Sequence, residues 1–194
     1  MRTSIPRRSR SAASAAFTLV ELLVAVGLSG AVLAGILTTS VQLMRNNVRI
    51  AHYSEMDTQV RRAFEQLGTD LKSAKSLKWN GASDITVTIP RSNGTTSEFT
   101  YCWSSTSLSF FRVPGSSSAS TSQRIELIRG IPARPDGGPG LSFSRLTASG
   151  TAATTDLATK RIEVSATVSR SATGAARATS AVSATFTLRN KPAS

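Results

Sequence analysis

A predominantly apolar run from Phe17 to Leu37, 21 residues with Glu21 as its only charge, limits what this chain can fold into more than any other feature. As a helix it would reach about 30 Å, the hydrocarbon thickness of a bilayer. Four arginines, Arg2, Arg7, Arg8 and Arg10, precede it with no acid among them. By the positive-inside rule they hold the N-terminus in the cytoplasm, so the chain that follows is expected outside it.

Three readings of this segment compete. A secretory signal peptide has an apolar stretch of about 7–15 residues followed by a small-residue cleavage site; this run is longer and leads straight into an amphipathic pattern. A plain membrane anchor accounts for the length and the flanks. It gives no reason for Glu21, because a carboxylate near one end of a spanning helix is costly without a partner. The third reading is a basic leader cut ahead of the apolar run, so that the run is retained.

The residues around that cut carry a specific resemblance. Ala16-Phe17-Thr18-Leu19-Val20-Glu21-Leu22-Leu23-Val24-Ala25 resembles the cleavage and methylation motif of type IV prepilins and pseudopilins. That family has a basic leader ending in a small residue, then usually Phe, with Glu fifth in the mature chain. The resemblance implies cleavage between Ala16 and Phe17 by prepilin peptidase and N-methylation of Phe17. It also implies assembly through Glu21, paired with the Phe17 ammonium of a neighbouring subunit. Ala16 departs from the usual Gly and is its nearest small substitute. In low dielectric such a pair enforces register more than it adds stability. Glu21 also lies about one turn from the new N-terminus, where the helix dipole favours a carboxylate, so both roles can hold.

The helical pattern continues past the apolar run. Val41, Met44 and Val48, then Met56, Val60, Phe64, Leu67 and Leu71, recur at three- and four-residue steps with charged residues opposite. That is the signature of a one-faced amphipathic helix. No proline interrupts 17–72, and no kink is expected at Thr38, where major pilins often carry proline. Gly27, Gly30 and Gly35 either allow close helix packing or reflect how common glycine is in membrane helices.

After Ala74 the period changes. Asp84–Ile89 alternates strictly, and Glu98–Trp103, Ser107–Val113, Arg124–Ile128 and Leu141–Leu146 are shorter strand candidates. Lys160–Ser169 and Ala181–Leu188 are longer and alternate clearly. Turn-rich segments separate them, among them Asn93-Gly94, while 147–159 and 171–180 read as flexible Ala/Ser/Thr/Gly loops. The expected fold is α+β: a long N-terminal amphipathic helix, transmembrane in its first half, packed on an antiparallel β-sheet head. The expected divisions are a leader at 1–16, a membrane and filament-core helix at 17–40, its amphipathic continuation at 41–74 and the head at 75–194. Leu67-Gly68-Thr69-Asp70-Leu71-Lys72-Ser73-Ala74, Phe99–Tyr101 with Leu108–Val113, Glu126–Ile131 leading to Leu141–Phe143, and the two last strands resemble the order found in J-type minor pseudopilins and related minor pilins.

Other residues narrow the function. One histidine, one cysteine and scattered acids offer no triad, metal cluster or phosphate loop, so no enzymatic activity and no cofactor are expected. His52 falls at the rim of the apolar stripe. Cys102, in the run 99–103, reads as a buried strand thiol. Asp136 stands alone in its Pro/Gly segment, which reads as a turn and lacks the carboxylates of a calcium loop. The net charge is +12; losing the four leader arginines leaves 19 basic against 11 acidic residues, or +8. A basic excess suits anionic partners, but no Lys/Arg run interleaved with aromatics follows the leader.

The resemblance therefore implies a minor pilin or pseudopilin, a structural subunit of a type II secretion pseudopilus or a type IV pilus. It would sit singly across the bacterial inner membrane with its head in the periplasm. Its implied partners are prepilin peptidase, other pilins or pseudopilins, the inner-membrane assembly platform and the membrane itself. The alternatives are a competence-type pilin whose basic head binds DNA, and an anchored periplasmic protein unrelated to filaments, which predicts an uncut N-terminus.

Overall fold

The computed structural model describes residues 18–119, 123–170 and 178–191. One helix, α1, runs from Leu19 to Ser73. Eight strands follow: β1 (Ser76–Gly81), β2 (Asp84–Pro90), β3 (Thr96–Ser104), β4 (Ser109–Pro114), β5 (Ile125–Arg129), β6 (Leu141–Leu146), β7 (Arg161–Arg170) and β8 (Ala178–Thr187). The fold is α+β, as expected from the switch of period near Ala74. The chain divides into two compact units, Met1–Met44 and Arg45–Ser194.

In the second unit, every strand pairing is antiparallel, but the strands form two sheets. The first has five strands in the order β1-β2-β3-β4-β5, the second three in the order β6-β7-β8. The antiparallel β-sheet head expected from sequence is thus built from two sheets. Gly130 joins them: its N–H donates to Leu108 O at 3.0 Å, while its own carbonyl accepts from Ser169 N at 2.7 Å. Its φ is +81°, and a Cβ there would lie 2.6 Å from the Ser169 carbonyl oxygen, so only glycine fits this seam.

The apolar stripe of the helix packs on the head from Met56 onward. Met56, Val60, Ala63, Leu67 and Leu71 are buried against Ile85, Val87, Phe110, Ile128, Ile162 and Val164. Each large side chain of this kind is worth about 1.5–3 kcal/mol when fully buried. Val48, which the periodicity assigned to the same stripe, is exposed. Gly68 marks a close approach: a Cβ there would lie 2.8 Å from the Phe186 ring, which stands edge-on to Phe64 with centroids 6.1 Å apart. His52 is half-buried beside the stripe.

A buried acid interrupts that stripe. Asp70 accepts from the Tyr101 hydroxyl at 2.6 Å and from Arg112 Nε at 2.8 Å, both through Oδ2, and from Gln66 Nε2 through Oδ1 at 3.1 Å. Arg112 in turn lies 3.4 Å over the Phe99 ring. One carboxylate thereby ties the last turns of α1 to β3 and β4. Burial, followed by the neighbouring carboxylate, pushes the Tyr101 phenol far above its usual range.

Two further expectations are revised. β1 (SLKWNG) was not anticipated, because only Leu77 and Trp79 alternate in it and Asn80-Gly81 reads as a turn. The segment 147–159, expected to be a flexible loop, is tied down. Asp156 accepts from Trp79 N at 3.2 Å and pairs with Arg145 at 3.0 Å, and its carbonyl and that of Thr159 receive the Lys191 ammonium. Burial lowers the Lys191 pKa, with Lys160 adding to the effect. Of the expected loop 171–180, residues 178–180 begin β8, and 171–177 lie outside the described residues. Cys102 is a buried strand thiol, as read from sequence; burial, with Asp84 adding to it, pushes its pKa up to about 11.

Asp70→Ala is expected to destabilise the head by about 3 kcal/mol, because it strands a largely buried guanidinium. Tyr101→Phe, which leaves the ion pair intact, should cost about 1–2 kcal/mol. Urea unfolding followed by tryptophan fluorescence checks both; equal, negligible shifts would show that the cluster does not hold the helix.

Candidate functional site

The candidate site begins where the helix begins. Thr18 is the N-cap of α1 and Glu21 is its third helical residue. Glu21 N donates to Thr18 Oγ1 at 3.2 Å, and Thr18 N donates to Glu21 Oε2 at 2.9 Å. The Thr18 hydroxyl also reaches Oε2, at 3.0 Å. This reciprocal pair is a capping box, which satisfies two of the four amide donors a helix start leaves open. Leu22 N then makes the first in-helix bond, to Thr18 O. Glu21 Oε1 forms no hydrogen bond among the described residues. Ala16 and Phe17, the expected cleavage and methylation residues, lie outside the described residues.

Beyond the cap, the helix up to Leu37 is apolar all round and exposed. Its most apolar window has a mean hydropathy of 2.2 and no buried residue, which makes it long and apolar enough to cross a membrane. Leu19, Leu23, Leu28, Leu33 and Leu37 are each about 60 % or more exposed. Two of its polar side chains bond back to the helix: the Thr38 and Thr39 hydroxyls donate to Ala34 O and Gly35 O at 2.8 and 2.9 Å. Such back-bonding lets a hydroxyl leave water without an orphaned donor. No neighbouring atom approaches the Cβ positions of Gly27, Gly30 and Gly35 within 4 Å, so these glycines are free to meet another helix closely.

Comparison of the chain with known protein families, curated proteins and solved structures finds no match. Among the described residues, no three His, Cys, Asp or Glu side chains gather where they could hold a metal ion.

Sequence reasoning missed a second feature. A groove of about 570 Å³ lies between the head portion of α1 and β5, and arginines line it. Only Arg62 and Arg112 among those arginines follow a visible periodicity, on different elements, so nothing in the linear order brings the set together.

A lysine at the centre of the apolar segment tests the membrane assignment. Val26→Lys is expected to raise the cost of insertion by about 3 kcal/mol. The fraction of chain resisting alkaline extraction from membranes should fall; an unchanged fraction would contradict the assignment.

Proposed function

We propose that this chain is a pilin-like structural subunit without catalytic activity. Its helix is held first in the inner membrane and then among the helices of neighbouring subunits, as a minor subunit of a type II secretion pseudopilus or type IV pilus. The observation that carries the reading is the exposed apolar first half of α1, whose one carboxylate sits at its start, in a chain that continues into an α+β head. A helix that is apolar all round belongs in lipid or in a bundle.

The chemistry follows from the positions of the residues. Prepilin peptidase cuts between Ala16 and Phe17 and N-methylates the new amine, which keeps its positive charge. The head remains in the periplasm. In the filament, Glu21 of an incoming subunit meets the Phe17 ammonium of its neighbour. The capping box occupies Oε2, so Oε1 is the atom that remains to accept that ammonium. Within an apolar bundle, an unpaired charge of either sign is strongly disfavoured, so subunits add only in the register that pairs both.

Glu21→Gln separates the two roles of this residue. Glutamine still accepts from the Thr18 amide and preserves the cap, but it carries no charge. The proposal predicts normal cleavage and membrane insertion, with incorporation into sheared filaments down about tenfold or more, since a buried ammonium loses its counter-charge. Unchanged incorporation would reduce Glu21 to a helix cap.

A further inference from the structure

The arginine-lined groove of the head has no part in the role proposed above. Its helical wall carries Arg62 and Ala63; its β wall carries Arg112, Ile125, Leu127 and Arg129. Arg170 closes one end, held by Glu55 at 3.1 Å and by the Gln59 side-chain carbonyl at 3.1 Å. Arg129 is engaged by Glu126 at 2.7 Å, and that pairing, helped by Ser109, holds the Glu126 carboxyl below its usual range.

Two arginines keep donors in reserve. Arg62 is exposed and makes no hydrogen bond or ion pair among the described residues. Arg112 is only 15 % exposed and spends Nε on Asp70 and Tyr101, while no hydrogen bond among the described residues uses its two Nη atoms. Asp70 and the Phe99 ring hold that guanidinium in place, so a ligand would meet a fork already oriented. Beside it, Ile125 and Leu127 offer apolar surface. β5 is the last strand of its sheet, and its outer edge forms no backbone hydrogen bond among the described residues.

We infer that this groove binds a short, extended, acidic segment of another protein, with a carboxylate on Arg62 and Arg112 and an apolar side chain on Ile125 and Leu127. An open strand edge supplies main-chain hydrogen bonds to an extended peptide, and alternate side chains supply the specificity. Charge selects the partner. The chain carries +12, and +8 without its four leader arginines, so a second copy is repelled while an acidic protein is drawn in. A nucleic acid fits less well. The lining holds no aromatic ring on which a base could stack, and Glu55 and Glu126 stand in the walls, where a phosphate at every step would meet them. A peptide can space its carboxylates to avoid both. This inference does not depend on the filament role.

The test uses the full chain in neutral detergent micelles and a short fluorescent peptide of alternating glutamate and valine, read by anisotropy at physiological ionic strength. The peptide should bind. Arg62→Glu and Ile125→Asn should each weaken it about tenfold, while Arg91→Glu, in the turn between β2 and β3, leaves binding unchanged. Four results would overturn the inference: no binding by the unaltered chain, equal loss with Arg91→Glu, equal binding of the lysine–valine counterpart, or tighter binding of single-stranded oligothymidylate lost with the same two variants.

Discussion

Water is a poor solvent for the first described stretch of this helix, and most else about the chain follows from that. From Leu19 to Met44, 14 large apolar side chains are exposed. At about 1.5–3 kcal/mol for each full burial, they amount to some 20–40 kcal/mol of unrealised stabilisation. A whole domain is typically stable by only about 5–15 kcal/mol. Lipid or neighbouring helices are the kinds of surroundings that would recover that stabilisation. The same requirement explains why Thr38 and Thr39 bond to their own helix and why the first amides are closed by Glu21 and Thr18.

The second unit holds the later turns of the same helix against its sheets. Its core is modest, and a directional clamp supplements it. Asp70 sits among apolar neighbours on α1 and collects Tyr101 from β3 and Arg112 from β4. Ion pairs of this kind often add little net stability over apolar packing, but they are costly to break. They fix the rotation and the depth of the helix on its sheet. The same arginine lines the groove, so the clamp that orients the helix also fixes one of the groove's guanidinium groups.

The sequence made the helix and seven of the eight strands legible, for identifiable reasons. The helix is long and uninterrupted by proline, and its period shifts only near Ala74. β7 and β8 alternate over ten residues each. β1 was hidden because six residues with a lysine, an asparagine and a terminal glycine carry too short an alternation to stand out. The split into two sheets was hidden because strand order depends on partners, and Gly130 joins the sheets through contacts distant in sequence. Of the candidate site, Glu21 was legible from its solitary charge; its reciprocal bond with Thr18 also follows the spacing of a capping box. Asp70 left one usable trace, an acid beside Leu67 and Leu71 on a buried face. The groove left none, since α1, β4, β5 and the end of β7 each contribute isolated arginines.

The central claim is that the apolar helix is retained behind a removed basic leader rather than removed with it. The intact mass of the chain extracted from membranes tests this most directly. The account predicts a mature chain that starts at Phe17 and carries one methyl group on its amine. A chain that starts at Met1, or one cut beyond Leu37, would contradict it.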